Sequence, residues 1–545
     1  MPESSGRPWW CSASIYQIYP RSFADANGDG IGDIAGIRAR LPYLAELGVD
    51  AVWISPWYPS PMCDGGYDVA DYRDIDPMFG TLADAEALIE DAHRHGIRII
   101  VDIVPNHCSD QHPWFQAALA AGPGSPERDL FLFRDGRGAS GELAPNDWPS
   151  AFGGPGWRRI TEPDGQPGQW YFHRFAPGQP DFNWQHPQVG EEFESILRFW
   201  LDRGVDGFRI DVADNLVKDR ALPDLAAVQP GHSPFSDQDG VHEIYRAWRK
   251  VLDSYPGERI FVGEIWTPDP ERFARYLRPD ELNTAFNFPF LQAAWDAGAL
   301  HEVIDSTLAA HAPVAATATW VLGNHDTTRP VTRYGRADTR YAPAGVRVHN
   351  APLDLDRGVR RARAAALLTM ALPGCVYVYQ GEELGLWEVE DIPARLRQDP
   401  TFFQSAGTDL GRDGCRVPIP WDGSTAPFGF SPDDAATSPW LPQPEAWTDL
   451  SAAAQDKDPD SVLGLYRRAL RIRREHSALQ GADFAWLPQP EGLLAFTRGD
   501  LTCVVNLSDA AAPLPRHDEL LISSSPLPRH NAHLPGDTAV WLRTG

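Results

Sequence analysis

Short apolar runs and helix-period stretches alternate along most of this chain. The runs Ser14 to Tyr19, Ala51 to Ser55, Arg98 to Val104, Gly207 to Val212, Ile260 to Ile265, Thr284 to Phe288, Thr319 to Leu322 and Cys375 to Tyr379 show little polar alternation. Runs of this length, bounded by turn residues, predict strands buried on both faces. Between several of them lie amphipathic stretches, namely Ile34 to Leu47, Leu82 to His95, Val189 to Arg203 and Val241 to Ser254. Strand and helix in alternation imply a parallel sheet, and eight such units predict an α/β fold of the (β/α)8 barrel type.

The alternation stops from about Asn106 to Pro180, where Gly, Pro and aromatic residues dominate. A stretch that long without helical period predicts an inserted subdomain after the third strand rather than a loop. A second irregular, Pro-rich region runs from Arg395 to Pro444, and a last helix is predicted over Ser461 to Arg474. Short alternating runs at Leu493 to Thr497, Leu501 to Val505 and Ala539 to Leu542 then predict a small antiparallel β domain. The expected division is barrel over residues 1–105 and 181–475, inserted subdomain over 106–180, and a β-sandwich-like domain over 476–545.

Composition narrows the function. Of the 545 residues 43% are hydrophobic, with 20 Trp and 24 Phe, so a large core is available and disorder is excluded. The net charge of −27 argues against nucleic-acid phosphates or anionic lipid as partners. The amino-terminal MPESSGRPWW lacks the basic-then-apolar pattern of a secretory signal, and Pro373 and Gly374 interrupt the most apolar stretch, Ala364 to Tyr379. Neither secretion nor a membrane span is expected. Six cysteines without CxxC spacing predict neither zinc nor disulfides, and so a reduced, cytoplasmic chain.

In a barrel, chemistry sits where strands end at their carboxyl edge. Four predicted strand ends carry carboxylates: Asp102 in Val101-Asp102-Ile103-Val104-Pro105-Asn106-His107, Asp211 in Gly207-Phe208-Arg209-Ile210-Asp211, Glu264 in Phe261-Val262-Gly263-Glu264-Ile265-Trp266, and Asp326 in Gly323-Asn324-His325-Asp326. One alone would be a structural ion pair; four converging on one face point to catalysis.

These four segments, in this order, resemble the sequence regions of the α-amylase superfamily, glycoside hydrolase family 13, over nearly the whole chain. The resemblance implies that Asp211 is the nucleophile, Glu264 the general acid and base, and Asp326 a carboxylate that holds the sugar and stabilises the transition state. It makes His107 and His325 donors to sugar hydroxyls. Chemistry agrees, since retaining hydrolysis needs one ionised carboxylate and one protonated. Arg209, two residues before Asp211 on a strand, shares its side and is expected to keep it ionised, whereas an apolar surround with Trp266 is expected to keep Glu264 neutral.

Finer features resemble α-glucosidases of the oligo-1,6-glucosidase type. Gln179-Pro180-Asp181-Phe182-Asn183 is similar to that group's Gln-Pro-Asp-Leu-Asn signature. Asp64-Gly65-Gly66-Tyr67-Asp68 and Arg412-Asp413-Gly414-Cys415-Arg416 resemble the segments closing the pocket beyond the non-reducing glucose. The expected pair there is Asp64 with Arg412, Arg416 being the alternative arginine. Tyr67 is expected beneath the glucose, with Phe152, Phe175 and Gln179 on the pocket wall. Asp214 and Asn215 stand where amylases carry Lys-His, which puts binding of long glucans in doubt. Val212 resembles the residue of α-1,6-active relatives but occurs in maltose-active ones too, so the linkage stays open.

The loop Asp25-Ala26-Asn27-Gly28-Asp29-Gly30-Ile31-Gly32-Asp33 begins like an EF-hand but has Gly36 at the twelfth position. The resemblance implies structural calcium or magnesium held by Asp25, Asn27, Asp29, the Ile31 carbonyl and Asp33; a hydrogen-bonded Asx turn is the other reading. No organic cofactor is expected, and the partner is a small oligosaccharide, bound by a monomer or homodimer. Three functions compete: an exo-acting α-glucosidase, a transglucosylase or sucrose or maltose isomerase using the same intermediate, and a non-catalytic binding subunit. Retention of all three carboxylates opposes the last. Arg395-Leu396-Arg397-Gln398-Asp399 only partly echoes the acceptor-side loop of isomerising relatives.

Overall fold

The computed structural model describes residues 7–341, 351–527 and 533–544; the first six residues of the amino-terminal stretch lie outside these. All eight predicted strands form: β1 (Ser14–Ile18), β2 (Ala51–Ile54), β3 (Arg98–Ile103), β4 (Gly207–Ile210), β5 (Ile260–Gly263), β6 (Thr284–Ala285), β7 (Thr319–Val321) and β8 (Cys375–Tyr379). They make one parallel sheet in the order β7-β8-β1-β2-β3-β4-β5-β6. A parallel bridge from Phe286 to Thr319 joins its two edges, so the sheet closes as a (β/α)8 barrel. Apart from a half-buried Arg98, every strand residue is buried. Both faces of each strand are covered, which is why the runs read as continuous.

The helices follow the predicted stretches, with one break. Ile34 to Leu47 forms two helices, Ile34–Ala39 and Leu41–Leu47, because Pro42 in the first turn of the second cannot donate a backbone hydrogen bond to continue the first. The insertion holds a three-stranded antiparallel sheet of Phe133–Arg134, Pro167–Phe172 and Trp157–Thr161, packed on Trp148. It also contains a helix, Pro113–Ala121, against the expectation of no helical segment there; nine residues give too few turns for a period to register. The carboxyl-terminal sheet is antiparallel and five-stranded, adding Ala485–Trp486 and Glu519–Ser523 to the three expected runs. Glu519–Ser523 is an edge strand with a bulge, half exposed, and lacks clean alternation. The Trp541 indole donates to the Leu367 carbonyl, tying this sheet to the helix Leu355–Ala371.

Among the described residues no helix is long and apolar enough to cross a membrane, and all six cysteines are free.

Just past β8, burial pushes the Glu382 carboxyl up to about 8. One oxygen accepts the Tyr466 hydroxyl at 2.8 Å and the other is buried without a partner. A folded-state value above the unfolded one of roughly 4.3 contributes stability that is full below the unfolded value and lost as pH rises through about 8. Glu382→Gln should therefore raise the melting temperature over wild type at alkaline pH and leave it nearly unchanged at pH 5, as scanning calorimetry at both pH values would show.

Candidate active site

Barrel register brings the carboxylates together. Asp102 on β3 lies directly beside Arg209 on β4, and Ile210 pairs with Gly263 on β5, so the next rung sets Asp211 beside Glu264. Arg209 and Asp211, two apart, share a face. One Arg209 nitrogen donates to both Asp102 oxygens at 3.1 Å and to Asp211 at 2.8 Å, while the other donates to Glu264 Oε2. Val212 N–H also reaches Glu264 Oε2, at 3.2 Å, and Trp266 Nε1 donates to Oε1 at 2.9 Å. Val212 takes φ of 36°, a left-handed conformation costly for a β-branched residue, directly after Asp211.

This geometry corrects two expectations. Glu264 does not sit in an apolar surround: three donors face it, one of them charged. Arg209, expected to keep Asp211 ionised, is shared with Asp102 and Glu264. Burial drives the Asp211 carboxyl well above the usual range, Arg209 opposes it, and Glu264 and Asp102 add to the rise. Asp102 is pushed up to about 7, again by burial against the pull of Arg209. One guanidinium is thus shared by three buried carboxylates, and burial favours the protonated forms of Asp102 and Asp211.

A second cluster holds Asp326. Its Oδ1 accepts Arg412 at 3.1 Å and Arg416 at 2.8 Å, and its Oδ2 lies 3.2 Å from His325 Nε2. Burial alone would raise this carboxyl, but the neighbouring ring and guanidiniums outweigh it and hold it far below the usual range. Burial likewise keeps His325 neutral. Gln17 donates to His325 Nδ1 at 2.7 Å, which leaves the hydrogen on Nε2, beside Asp326 Oδ2 at 3.2 Å but not aligned on it as a hydrogen bond. A hydroxyl placed there would satisfy it.

The expected pair forms: Arg412 Nη2 bonds Asp64 Oδ1 at 2.5 Å. Arg416 instead serves Asp326 and the His325 carbonyl. Gln179, fully buried, donates to Asp64 at 3.1 Å and lies 3.2 Å from His107 Nε2, which is 3.1 Å from the Tyr67 carbonyl. The Tyr67 ring stacks on His325, centroids 5.2 Å apart, and its hydroxyl bonds Asp102 at 2.9 Å. Phe175 packs on His107 and Phe152, and Arg412 lies over Phe152. The structure thus joins Asp64, Tyr67, His107, Phe152, Phe175, Gln179, Arg209, His325 and Arg412 to the three carboxylates in one connected site. Above it opens a cleft of about 1020 Å³ lined by Phe152, Trp266, Asp326 and Arg412 among others.

Three participants had no assigned role in the sequence reading. Asp102 was noted only as a strand end, although its register opposite Arg209 makes it the third carboxylate. Gln17 sits mid-strand in β1 and carries no local signal; a polar residue in a fully buried strand was the available clue. Asp399 accepts the Arg412 backbone N–H at 2.8 Å as well as its Nε, and caps the helix Pro400–Gln404.

The loop of residues 25–33 lies away from these groups, against the segment around Ala436 and Trp440. Gly30 has φ of 88°, and a Cβ there would stand 2.3 Å from the Ser438 carbonyl. Asp25 accepts the N–H groups of Gly28 and Gly30; Asp33 accepts those of Ala26, Asn27 and Gly36; Asn27 accepts that of Asp29, and Asp29 that of Ile31. The oxygens of Asp25, Asn27, Asp29 and Asp33 and the Ile31 carbonyl are of the type a hard cation takes. These backbone bonds to side-chain oxygens are also those of Asx turns.

Comparison with known proteins agrees with this geometry. Residues 17–482 match the family model described as alpha amylase, catalytic domain, and residues 488–541 match a domain of unknown function, DUF3459. The chain is 39% identical to a protein named "Probable alpha-glucosidase" from Rhizobium meliloti (strain 1021), covering 93% of this chain and 90% of that one. It is 36% identical to the "Oligo-1,6-glucosidase" of Parageobacillus thermoglucosidasius, covering 87% and 85%. The solved structure of the α-glucosyl transfer enzyme XgtA superposes with a TM-score of 0.84 at 35% identity, over 98% of this chain and all of that one.

Proposed function

The chain belongs to the α-amylase family of glycoside hydrolases, and from that premise we propose that it is an exo-acting, retaining α-glucosidase, releasing terminal non-reducing glucose from maltose, isomaltose or short oligosaccharides. The observation that carries the exo reading is Arg412, which bonds Asp64 and Asp326 at once and in this reading stands beyond the terminal glucose. Glucose enters with its non-reducing end against that wall, its hydroxyls facing Asp64, His107, His325 and Asp326 and its ring on Tyr67. Asp211 attacks the anomeric carbon while Glu264 passes its proton to the leaving oxygen, giving a glucosyl–Asp211 ester. Glu264, now ionised, takes a proton from a water whose oxygen bonds the anomeric carbon on the face opposite Asp211 as the ester C–O bond breaks, so Asp211 leaves as a carboxylate and α-glucose is released.

Transfer to a sugar acceptor is the second reading, favoured by the likeness to a glucosyl transfer enzyme. Against it stands the segment 395–399: Arg397 is buried on the carbonyls of Glu390, Ile392 and Leu410, and Asp399 holds Arg412, so neither faces an acceptor. A product time course on maltose, isomaltose, sucrose and trehalose at low and high concentration tests both. Free glucose from the outset, first as the α-anomer by NMR, is the expected result, and the relative rates report the linkage preference. New oligosaccharides dominating at low concentration would make the enzyme a transglucosylase.

On the sequence pattern alone we propose structural calcium or magnesium in the 25–33 loop. Chelator-treated protein should then gain several degrees of melting temperature on adding millimolar Ca²⁺ or Mg²⁺, since a ligand at about 100 times its Kd stabilises by about 2.7 kcal/mol. An unchanged melting temperature assigns the loop to the Asx turn. The free cysteines support a reducing, cytoplasmic setting, and the site is complete in one copy, as a monomer or homodimer requires.

A further inference from the structure

Trp266 is one of five large hydrophobic side chains exposed among the described residues, at 39%. It is nonetheless tightly held. Its ring stacks on Phe288 with centroids 4.0 Å apart and planes 8° from parallel, and its backbone N–H donates to Asp214 at 3.1 Å. Phe288 lies just past β6 and is itself buried, so the indole rests on the barrel wall. The remaining surface faces the cleft that also exposes Asp326 and Arg412. The indole N–H meets Glu264 Oε1 at 2.9 Å.

The two Glu264 oxygens are therefore unequal. Oε2 accepts the Arg209 guanidinium and Val212 N–H; Oε1 accepts only the neutral indole. A charged donor disfavours a proton on the atom it contacts, so the transferable proton resides on Oε1, whose second lone pair is open to it. We propose that Trp266 is a positioning residue: its N–H fixes the plane of the Glu264 carboxyl so that the Oε1 proton points at the leaving oxygen, and its exposed ring is the surface on which the departing sugar rests. In the step itself the Oε1–H bond breaks as the leaving oxygen gains that proton, the C1–O bond breaks, and an Asp211 oxygen bonds C1. The inference rests on the proposed glucosidase function.

The test pairs maltose, whose departing sugar needs a proton, with α-glucosyl fluoride, whose fluoride leaves with little help. Trp266→Phe keeps a ring over Phe288 and deletes the N–H. It should lower kcat/KM for maltose about tenfold while kcat/KM for the fluoride, which reports only formation of the ester, stays within about twofold. Trp266→Ala should show the same split and also raise KM for maltose, because the sugar-bearing ring is lost. Equal losses on both substrates in either variant, as a merely structural role would give, or wild-type rates on maltose in Trp266→Phe, would overturn the inference. Wild-type protein inert towards both substrates would instead overturn the proposed function.

Discussion

Asp211→Asn should lower turnover of maltose by about 10⁴-fold or more, the scale on which nucleophile removal acts in hydrolases. The amide keeps the shape of the carboxylate but cannot form the glucosyl ester. Folding should gain. Because the folded-state value of Asp211 lies above its unfolded one, the ionised side chain costs stability once pH exceeds the unfolded value. The neutral amide removes that cost, so the variant should melt higher than wild type at pH 7.5. Steady-state kinetics with a thermal melt checks both halves. Retained turnover would remove Asp211 from its role, and a lower melting temperature would mean that its bond to Arg209 outweighs the burial cost.

Glu264→Gln should produce a different failure. Turnover of maltose should fall about 10²- to 10⁴-fold, the contribution of a positioned acid and base. With α-glucosyl fluoride, attack by Asp211 still proceeds, but the water that should release glucose has lost its base, so the ester should accumulate. Intact-protein mass spectrometry within seconds of mixing should find a protein one hexosyl group heavier. Wild-type rates on maltose, or no adduct from the fluoride, would overturn the acid and base assignment. The variant keeps a side-chain oxygen for Arg209 and Val212 N–H and loses only the acceptor for the Trp266 indole, so it should still fold, as a thermal melt checks.

These experiments rest on residues legible to different degrees in the chain. The strands were readable because a parallel sheet covered on both faces leaves unbroken apolar runs, and each candidate carboxylate follows directly from where such a run ends. Pairing was not readable. Nothing near Arg209 says that Asp102 shares it, since that follows from β3 and β4 meeting in one register more than a hundred residues apart. Gln17 sets the His325 tautomer from the far end of the sequence. The choice between Arg412 and Arg416 also needed coordinates, because the two are four residues apart and both reach Asp326. The environment of Glu264 is hidden for a related reason: Trp266 reads as an apolar neighbour, yet its one polar atom is what touches the acid.

The exo-acting cleavage proposed from the Arg412 contacts carries a consequence for how a polymer would be consumed. A pocket closed behind a single glucose counts chain ends and is blind to the bonds between them. At equal mass, a glucan of long chains offers few ends and its digest of short chains many, so the rate should follow molar concentration and be nearly independent of grams per litre. Such an enzyme gains substrate whenever an endo-acting activity cuts a chain, and its natural place is downstream of one.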